Sequence, residues 1–370
     1  MPLEEWFDTY QYEIEHNIGE SGVKCLSLAS LPTKGVENVM LRYGHHRGSP
    51  ELRRLICEQY EDLDPDQVCV TTGSSESNFS VIASLVRTSD HMIVEAPNYP
   101  SLYEVPRSLG LNHNLFRLTY EQNFEPDLIR LEQLMKSNTK LVSLTHPNNP
   151  TGSVISERKL RDILELVESR DAYLLSDETY RELSFEKPPP PAADLSDRAI
   201  SITTLSKAYG LPGIRIGWVA GPKHLIESVR AVREQLTICN NALGETIALS
   251  VLQNKERFLN RIRKHVRRNF DIMKQWMSTQ DHLEWVDPKG GAVAFPRLKS
   301  GTSTAQLCRI LVTKYRTFTI PGYCFNMDQH LRIGFGGSAH ELKQGLSNLK
   351  QALDEQPAQM SPKTVVTSPA

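Results

Sequence analysis

Between residues 67 and 177 the chain alternates short β-branched runs with amphipathic stretches, which predicts an α/β protein: a large, mostly parallel sheet with helices on both faces. Two further observations extend that class. At 370 residues the chain exceeds the roughly 250–300 residues at which one core stops growing. Beyond Gly221 the pattern turns helical and then alternates short strands with helices, as in a small α+β lobe. The expected divisions are an arm over 1–38, a large domain over 39–255, a small domain over 256–353 and a disordered tail over 354–370, which has too little apolar content to fold.

Taken in order, the arm reads as a short helix with Trp6, Phe7, Tyr10 and Ile14 on one side. An apolar run over 23–31 and a Pro-Thr-Lys-Gly turn at 32–35 follow. So many aromatics must pack on something, and a subunit interface is the expected place. A Gly-rich loop over 41–48 leads into a helix opened by Ser49 as N-cap and Pro50 at its first position. Strands are expected at 68–71, 91–95, 112–118, 141–145 and 173–177, separated by helices at 76–87, 102–109, 128–136 and 157–169. Glu186-Lys-Pro-Pro-Pro-Pro-Ala-Ala reads as a stiff surface connection. Strands at 200–205 and 215–220 flank a loop; helices at 225–236, 243–253 and 258–277 come next. The remainder reads as strands at 283–286, 292–296 and 331–335 with helices at 304–315 and 340–353.

Composition narrows the function. The formal net charge is −2 and no long basic run occurs, so the electrostatic footprint of a nucleic-acid binder is missing. The densest basic cluster, Arg261 to Arg268, has its apolar residues at helical spacing and reads as a solvated helix face. No apolar run approaches the ~18–20 residues of a membrane span, and the amino terminus lacks signal-peptide features, so a soluble, cytoplasmic protein is expected. The six cysteines are scattered, which points to reduced thiols rather than a metal site. His45 and His46 are adjacent and would point apart on a regular element, so no metal is expected there either.

The chemistry is expected at strand ends. Lys207 lies just past the strand at 200–205, and a lysine held near apolar walls loses proton affinity and can attack a carbonyl as a free amine. Thr204, Ser206 and Arg215 surround it with groups that suit a phosphate. Thr71-Thr-Gly73-Ser74-Ser75-Glu76 is a strand, a glycine turn and a helix start, where free N–H groups and the helix dipole favour an anion. Tyr99, in Glu95-Ala-Pro97-Asn-Tyr99-Pro100, offers a flat face for stacking. Asp177 ends another strand, where a buried carboxylate needs a cationic partner. Arg332, on the last strand, can grip a carboxylate through two parallel hydrogen bonds. Gly210, Gly213 and Gly217 do not form Gly-x-Gly-x-x-Gly, which argues against a nicotinamide enzyme.

The run Thr204-Leu-Ser-Lys207-Ala-Tyr-Gly-Leu-Pro-Gly-Ile-Arg215-Ile-Gly resembles the cofactor-lysine motif of class I/II aminotransferases, which are fold-type I pyridoxal 5′-phosphate enzymes of aspartate aminotransferase-like architecture. It departs at Thr204, where serine is usual. Asn149, in His146-Pro-Asn-Asn149-Pro-Thr-Gly, and Tyr180, in Asp177-Glu-Thr-Tyr180, extend the resemblance, which covers residues 3–353 in the family's order.

The resemblance implies that Lys207 carries the cofactor as a Schiff base and moves the Cα proton. It implies that Ser74, Ser75, Thr204, Ser206 and Arg215 hold the phosphate, that Tyr99 stacks on the ring, and that Asp177 pairs with the ring nitrogen. Asn149 and Tyr180 would bind the phenolic oxygen, Arg332 with Asn149 the substrate carboxylate, and Tyr43 the cofactor phosphate of the neighbouring subunit of a homodimer. Transamination between an α-amino acid and a keto acid, by a ping-pong route, is the first expectation. A looser likeness, carried by Leu3-Glu-Glu-Trp6, Ser21-Gly-Val23, Thr71-Thr-Gly-Ser-Ser-Glu76, Thr204 to Trp218, Gly290-Gly-Ala-Val-Ala-Phe-Pro296 and Leu331-Arg-Ile-Gly-Phe335, is to the capreomycidine synthases. Those eliminate a β-hydroxyl from a hydroxylated arginine and close a ring. A non-catalytic cofactor-binding regulator is the remaining alternative, and the 38-residue arm leaves no room for the DNA-binding module such regulators carry.

Overall fold

The protein is described by a computed structural model over residues 1–32, 35–299 and 303–355. The turn expected at 32–35 falls partly outside those residues, and the expected tail lies outside them from residue 356 onward. The chain opens with helix α1 (Pro2–Tyr10) and a two-residue strand β1 (His16–Asn17). Strands β2 (Val68–Thr71), β3 (His91–Ala96), β4 (Asn112–Arg117), β5 (Thr139–Thr145), β6 (Tyr173–Asp177), β7 (Ala199–Thr204) and β8 (Gly217–Ala220) form one sheet in the order β2-β8-β7-β6-β5-β3-β4. Only β8 runs against its neighbours; the other six are parallel. The expectation of a largely parallel sheet therefore holds, and its strands other than the edge strand β4 are buried along nearly their whole length because helices cover both faces.

Helices α2 (Pro50–Cys57), α3 (Ser74–Leu85), α4 (Ser101–Ser108), α5 (Leu128–Leu134) and α6 (Glu157–Ser169) alternate with these strands. In α6, Leu160, Ile163, Leu164 and Val167 form one buried stripe, and Ser156 caps the start by accepting from the Lys159 amide at 3.2 Å. Helices α7 (Lys223–Glu234), α8 (Ala242–Leu252) and the 23-residue α9 (Lys255–Met277) follow β8. A C-terminal unit then combines β9 (Leu283–Glu284), β10 (Val293–Ala294), β11 (Arg297–Leu298), α10 (Thr304–Tyr315), β12 (Thr317–Phe318), β13 (Ile320–Pro321), β14 (Leu331–Gly334) and α11 (Ala339–Asp354). Among the described residues no helix is long and apolar enough to cross a membrane.

Parallel strands end at one edge of the sheet, so Thr71, Ala96, Thr145, Asp177 and Thr204 arrive together. The antiparallel return into β8 makes the β7–β8 connection a loop at that same edge, and Lys207 sits in it.

Several expectations require correction. Arg215 is not in a strand; its φ of 54° places it in the left-handed region, and β8 begins only at Gly217. The segment 292–296 yields just two strand residues, and the two-residue strands β12 and β13 are too short to leave a periodic signal. The proline-rich connection is not simply a surface strap, because Pro189, Pro191 and Ala192 are buried. Most consequentially, the arm packs on its own chain. Trp6 is 4% exposed and donates its indole N–H to the Thr319 carbonyl at 2.9 Å, β1 pairs in parallel with β12, and the Gly334 amide donates to the Ile18 carbonyl at 2.7 Å. The approach is so close that a Cβ on Gly334 would collide with the Glu20 carbonyl.

Replacing Trp6 with Ala should therefore loosen α1 locally, because the anchoring indole is worth about 3–5 kcal/mol when buried. Hydrogen exchange is expected to speed up across residues 2–10 while the seven-stranded sheet keeps its protection. Wild-type exchange in the arm would contradict the docking described above.

Candidate active site

A cavity of about 600 Å³ opens where the strand ends meet the arm and the C-terminal unit. Its floor at one end is an anion cradle. Helix α3 starts after Gly73, which has no side chain to cap the first turn, so the leading N–H groups remain available. Ser74, Ser75, Ser206 and Arg215 all line the cavity here. Arg215 is held by the carbonyls of Pro212 at 3.0 Å and Thr72 at 3.1 Å, and a Cβ on Gly73 would run into its guanidinium. Thr204 does not line the cavity. Its hydroxyl donates to the Ile216 carbonyl at 2.8 Å and lies 3.0 Å from the Ser206 hydroxyl, so it supports Ser206 from behind.

Lys207 faces the cavity and is otherwise enclosed by protein. The arm crosses its backbone: the Val23 amide donates to the Lys207 carbonyl at 3.1 Å, and a Cβ on Gly22 would sit 3.4 Å from Lys207 Cδ. Among the described residues no carboxylate reaches ion-pair distance of its amine. Burial drives the Lys207 pKa below the usual lysine value, with the Glu20 carboxylate pulling the other way.

Asp177 is buried, accepting from the Thr179 amide at 3.1 Å and, weakly, from Asn78 Nδ2 at 3.5 Å. Burial raises its carboxyl pKa, as expected of an acid still short of a cation. Tyr99 forms another wall. Burial, with the Glu4 carboxylate nearby, pushes its phenol up to about 12, and its hydroxyl donates to Glu4 Oε1 at 3.2 Å. Tyr180 also lines the cavity, and burial holds its phenol well above the usual range.

Arg332 closes the opposite side. Its Nη1 donates to Asn149 Oδ1 at 3.0 Å and its Nη2 to the Gly19 carbonyl at 2.7 Å, while its buried Nε has no partner. Burial lowers its pKa, yet a guanidinium stays charged, so a buried cation with a spare donor calls for an anion. Asn149, by accepting from Arg332, keeps its amide N–H₂ for another partner.

The structure thus brings together eleven of the twelve expected site residues, ten on the cavity wall and Thr204 in support behind it. Tyr43 stands apart: it is 83% exposed and does not line the cavity. The sequence reading missed the acidic wall formed by Glu4 and Asp8 of α1, Glu20 of the arm and Glu341 of α11. The only signal available was the i, i+4 spacing of Glu4 and Asp8, which places them on one helix face without saying what that face meets.

These residues fit pyridoxal 5′-phosphate. The uncapped helix start with Arg215 suits a phosphate, the under-partnered Asp177 suits a protonated ring nitrogen, and the Lys207 amine suits an aldehyde. The chain matches the family described as aminotransferase class I and II over residues 28–349. It is 31% identical to capreomycidine synthase of Streptomyces vinaceus over 363 residues, 95% of this chain and 93% of that protein. A pyridoxal phosphate-dependent aminotransferase from Streptococcus suis superposes with a TM-score of 0.92 at 30% identity, over 95% of this chain and 97% of that one. The pyridoxal phosphate-dependent cyclase OrfR gives a TM-score of 0.88 at 29% identity, over 96% and 97%. With the lysine loop, strand order and full-length likeness in agreement, the chain belongs to the class I and II aminotransferase family of fold-type I, pyridoxal 5′-phosphate-dependent enzymes.

Proposed function

We propose that the protein acts on an α-amino acid with a cationic side chain, removing its Cα proton and then a β-substituent, with ring closure by a distal nitrogen. The observation that carries this reading is the acidic wall: Glu4, Asp8, Glu20 and Glu341 line the cavity that also holds Lys207 and Arg332. Four carboxylates favour a guanidinium or ammonium group at the far end of a substrate whose carboxylate is held by Arg332. The same wall repels the second carboxylate of a dicarboxylic keto acid, the usual acceptor in transamination. Glu4, Asp8 and Glu20 also precede the segment 28–349 that the family shares, and capreomycidine synthase, whose likeness extends over 95% of the chain, is a relative of the kind this reading requires.

Pyridoxal 5′-phosphate supplies the electron sink that makes the Cα proton acidic. Arg332 and Asn149 grip the substrate carboxylate and so fix which Cα bond faces Lys207. Lys207, its proton affinity lowered by burial, takes that proton and returns one to the departing β-hydroxyl, which leaves as water. The acidic wall orients the distal nitrogen toward the β-carbon; as the new N–C bond forms the nitrogen gives up a proton and Cα regains one, so the product is the substrate less one water. Transamination stands as a second reading, supported by the Streptococcus suis likeness. It uses the same lysine and arginine but needs an acceptor.

We also infer a two-fold pair of chains. Met40, Leu41, Tyr43, Leu236, Ile238 and Leu243 are large exposed hydrophobics confined to two segments, which meet where the Gly44 amide donates to Cys239 Sγ at 3.3 Å. Such a patch marks an association surface, and a second copy would bring its Tyr43 with it.

Four outcomes test these readings. Borohydride reduction of the cofactor-loaded protein should leave a label on Lys207 alone, and Lys207→Ala should lower turnover about 10²–10⁴-fold. Incubation with 3-hydroxyarginine should give a product one water lighter with all nitrogen retained and no need for a keto acid, measured by mass spectrometry; amino transfer to an acceptor would favour transamination instead. Removing one carboxylate by Glu4→Gln should raise KM for a cationic substrate about tenfold, in line with the ~1.5 kcal/mol or more of a charge-assisted hydrogen bond, and leave kcat nearly unchanged. Sedimentation should find a dimer, and a fully active monomer would remove Tyr43 from the site.

A further inference from the structure

We propose that Glu95 is a positioning residue that sets the Tyr99 wall and the Asn149 wall of the cavity relative to each other. The inference rests on the reading of this cavity as the catalytic site, and not on which substrate occupies it.

Glu95 is the penultimate residue of β3; it is 1% exposed and lies behind the cavity rather than on its wall. One of its oxygens, Oε2, accepts three N–H groups: Asn98 Nδ2 at 3.1 Å, the Thr145 amide at 2.9 Å and Asn148 Nδ2 at 3.0 Å. The first donor belongs to the turn that follows β3, and the other two to the end of β5 and the turn beyond it. Each asparagine passes the restraint on. Asn98 Oδ1 accepts from the Tyr99 amide at 2.7 Å. Asn148 Oδ1 accepts from the Thr151 amide at 3.1 Å and the Thr151 hydroxyl at 2.8 Å, and its Nδ2 reaches back to the Pro97 carbonyl at 3.1 Å. Asn149, between Asn148 and Thr151, is the residue that holds Arg332.

Sheet pairing cannot do this work. The register between β3 and β5 ends at Val94 opposite Ser143, so past that point no ladder fixes one turn against the other. The two turns are joined instead through the Glu95 Oε2 atom, beside the one direct bond from Asn148 Nδ2 to the Pro97 carbonyl. Burying a carboxylate is costly unless several donors compensate, and an apolar side chain would fill the same space at lower cost. Three converging donors offset part of that cost and make the contact rigid, while burial still raises the Glu95 pKa to about 8.

The test uses cofactor-loaded protein carrying Glu95→Ala, Glu95→Gln or Asn98→Ala. Three readouts are taken: kcat and KM separately, the pH midpoint of the bound cofactor's visible absorbance, and the thermal midpoint. Glu95→Ala should lower kcat/KM about tenfold to a hundredfold, as expected when reacting groups are misplaced by up to an ångström, and should move the absorbance midpoint. Glu95→Gln, which retains an acceptor oxygen, should restore most of both. Asn98→Ala cuts only the Tyr99 branch, so it should move the absorbance midpoint and leave KM close to wild type; it also keeps the proposal testable if Glu95→Ala does not fold. An unmoved absorbance midpoint in both Glu95→Ala and Asn98→Ala overturns the proposal, as does a Glu95→Gln variant no better than Glu95→Ala. A borohydride label away from Lys207 would remove the reading of the site itself, whereas a label on Lys207 with an indifferent Glu95→Ala removes only the role of Glu95.

Discussion

One guanidinium ties three distant parts of the chain together. Arg332 stands on β14 of the C-terminal unit, donates to Asn149 from the turn after β5 of the main sheet, and donates to the Gly19 carbonyl of the arm. A buried cation cannot be left with loose donors, so these contacts hold the C-terminal unit and the arm against the sheet. The Nε that remains without a partner is the donor that the proposed function assigns to a substrate carboxylate. On that reading, substrate binding and the packing of three chain segments depend on the same side chain.

The sheet supplies the rest of the geometry through direction alone. Six parallel strands deliver their ends to one edge, and the single antiparallel strand β8 turns the preceding connection into a loop there. Lys207, Asp177 and the start of α3 need no further device to meet. Finer adjustments come from buried polar groups in and behind the wall: Thr204 under Ser206, Thr179 on Asp177, and Glu95 between two turns. Thr204 and Glu95 do not line the cavity, whereas Thr179 does, and each acts through the neighbour it bonds.

On the proposed reading, chemistry and selectivity occupy different parts of the chain. The lysine, the aspartate and the anion cradle come from strand ends shared across the family, while Glu4, Asp8 and Glu20 come from an arm that precedes the shared segment. A helix that docks through Leu3 and Trp6 can change its polar face without disturbing either the sheet or the cradle. That separation lets one catalytic apparatus serve substrates of different charge.

The sequence by itself determined the alternation of strands and helices, the position of Lys207 past a strand end, and residue types suited to an anion, a cation and a carboxylate. These are legible because they depend on local periodicity and on residues adjacent in the chain, such as Gly73-Ser74-Ser75 or Asp177 to Tyr180. What only the tertiary structure decided depends on contacts between residues hundreds apart. Trp6 finds Thr319, Gly19 finds Arg332, and the arm thereby covers its own chain's cavity instead of waiting for a partner. Strands of two residues, such as β12 and β13, leave no pattern, so the surface that receives the arm could not be read. The inward turn of Thr204 and the convergence on Glu95 were hidden for the same reason: a hydrogen bond across 12 residues, or across 50, has no period. Periodicity fixes which face of an element is apolar, and only packing decides what that face, and the polar one behind it, will meet.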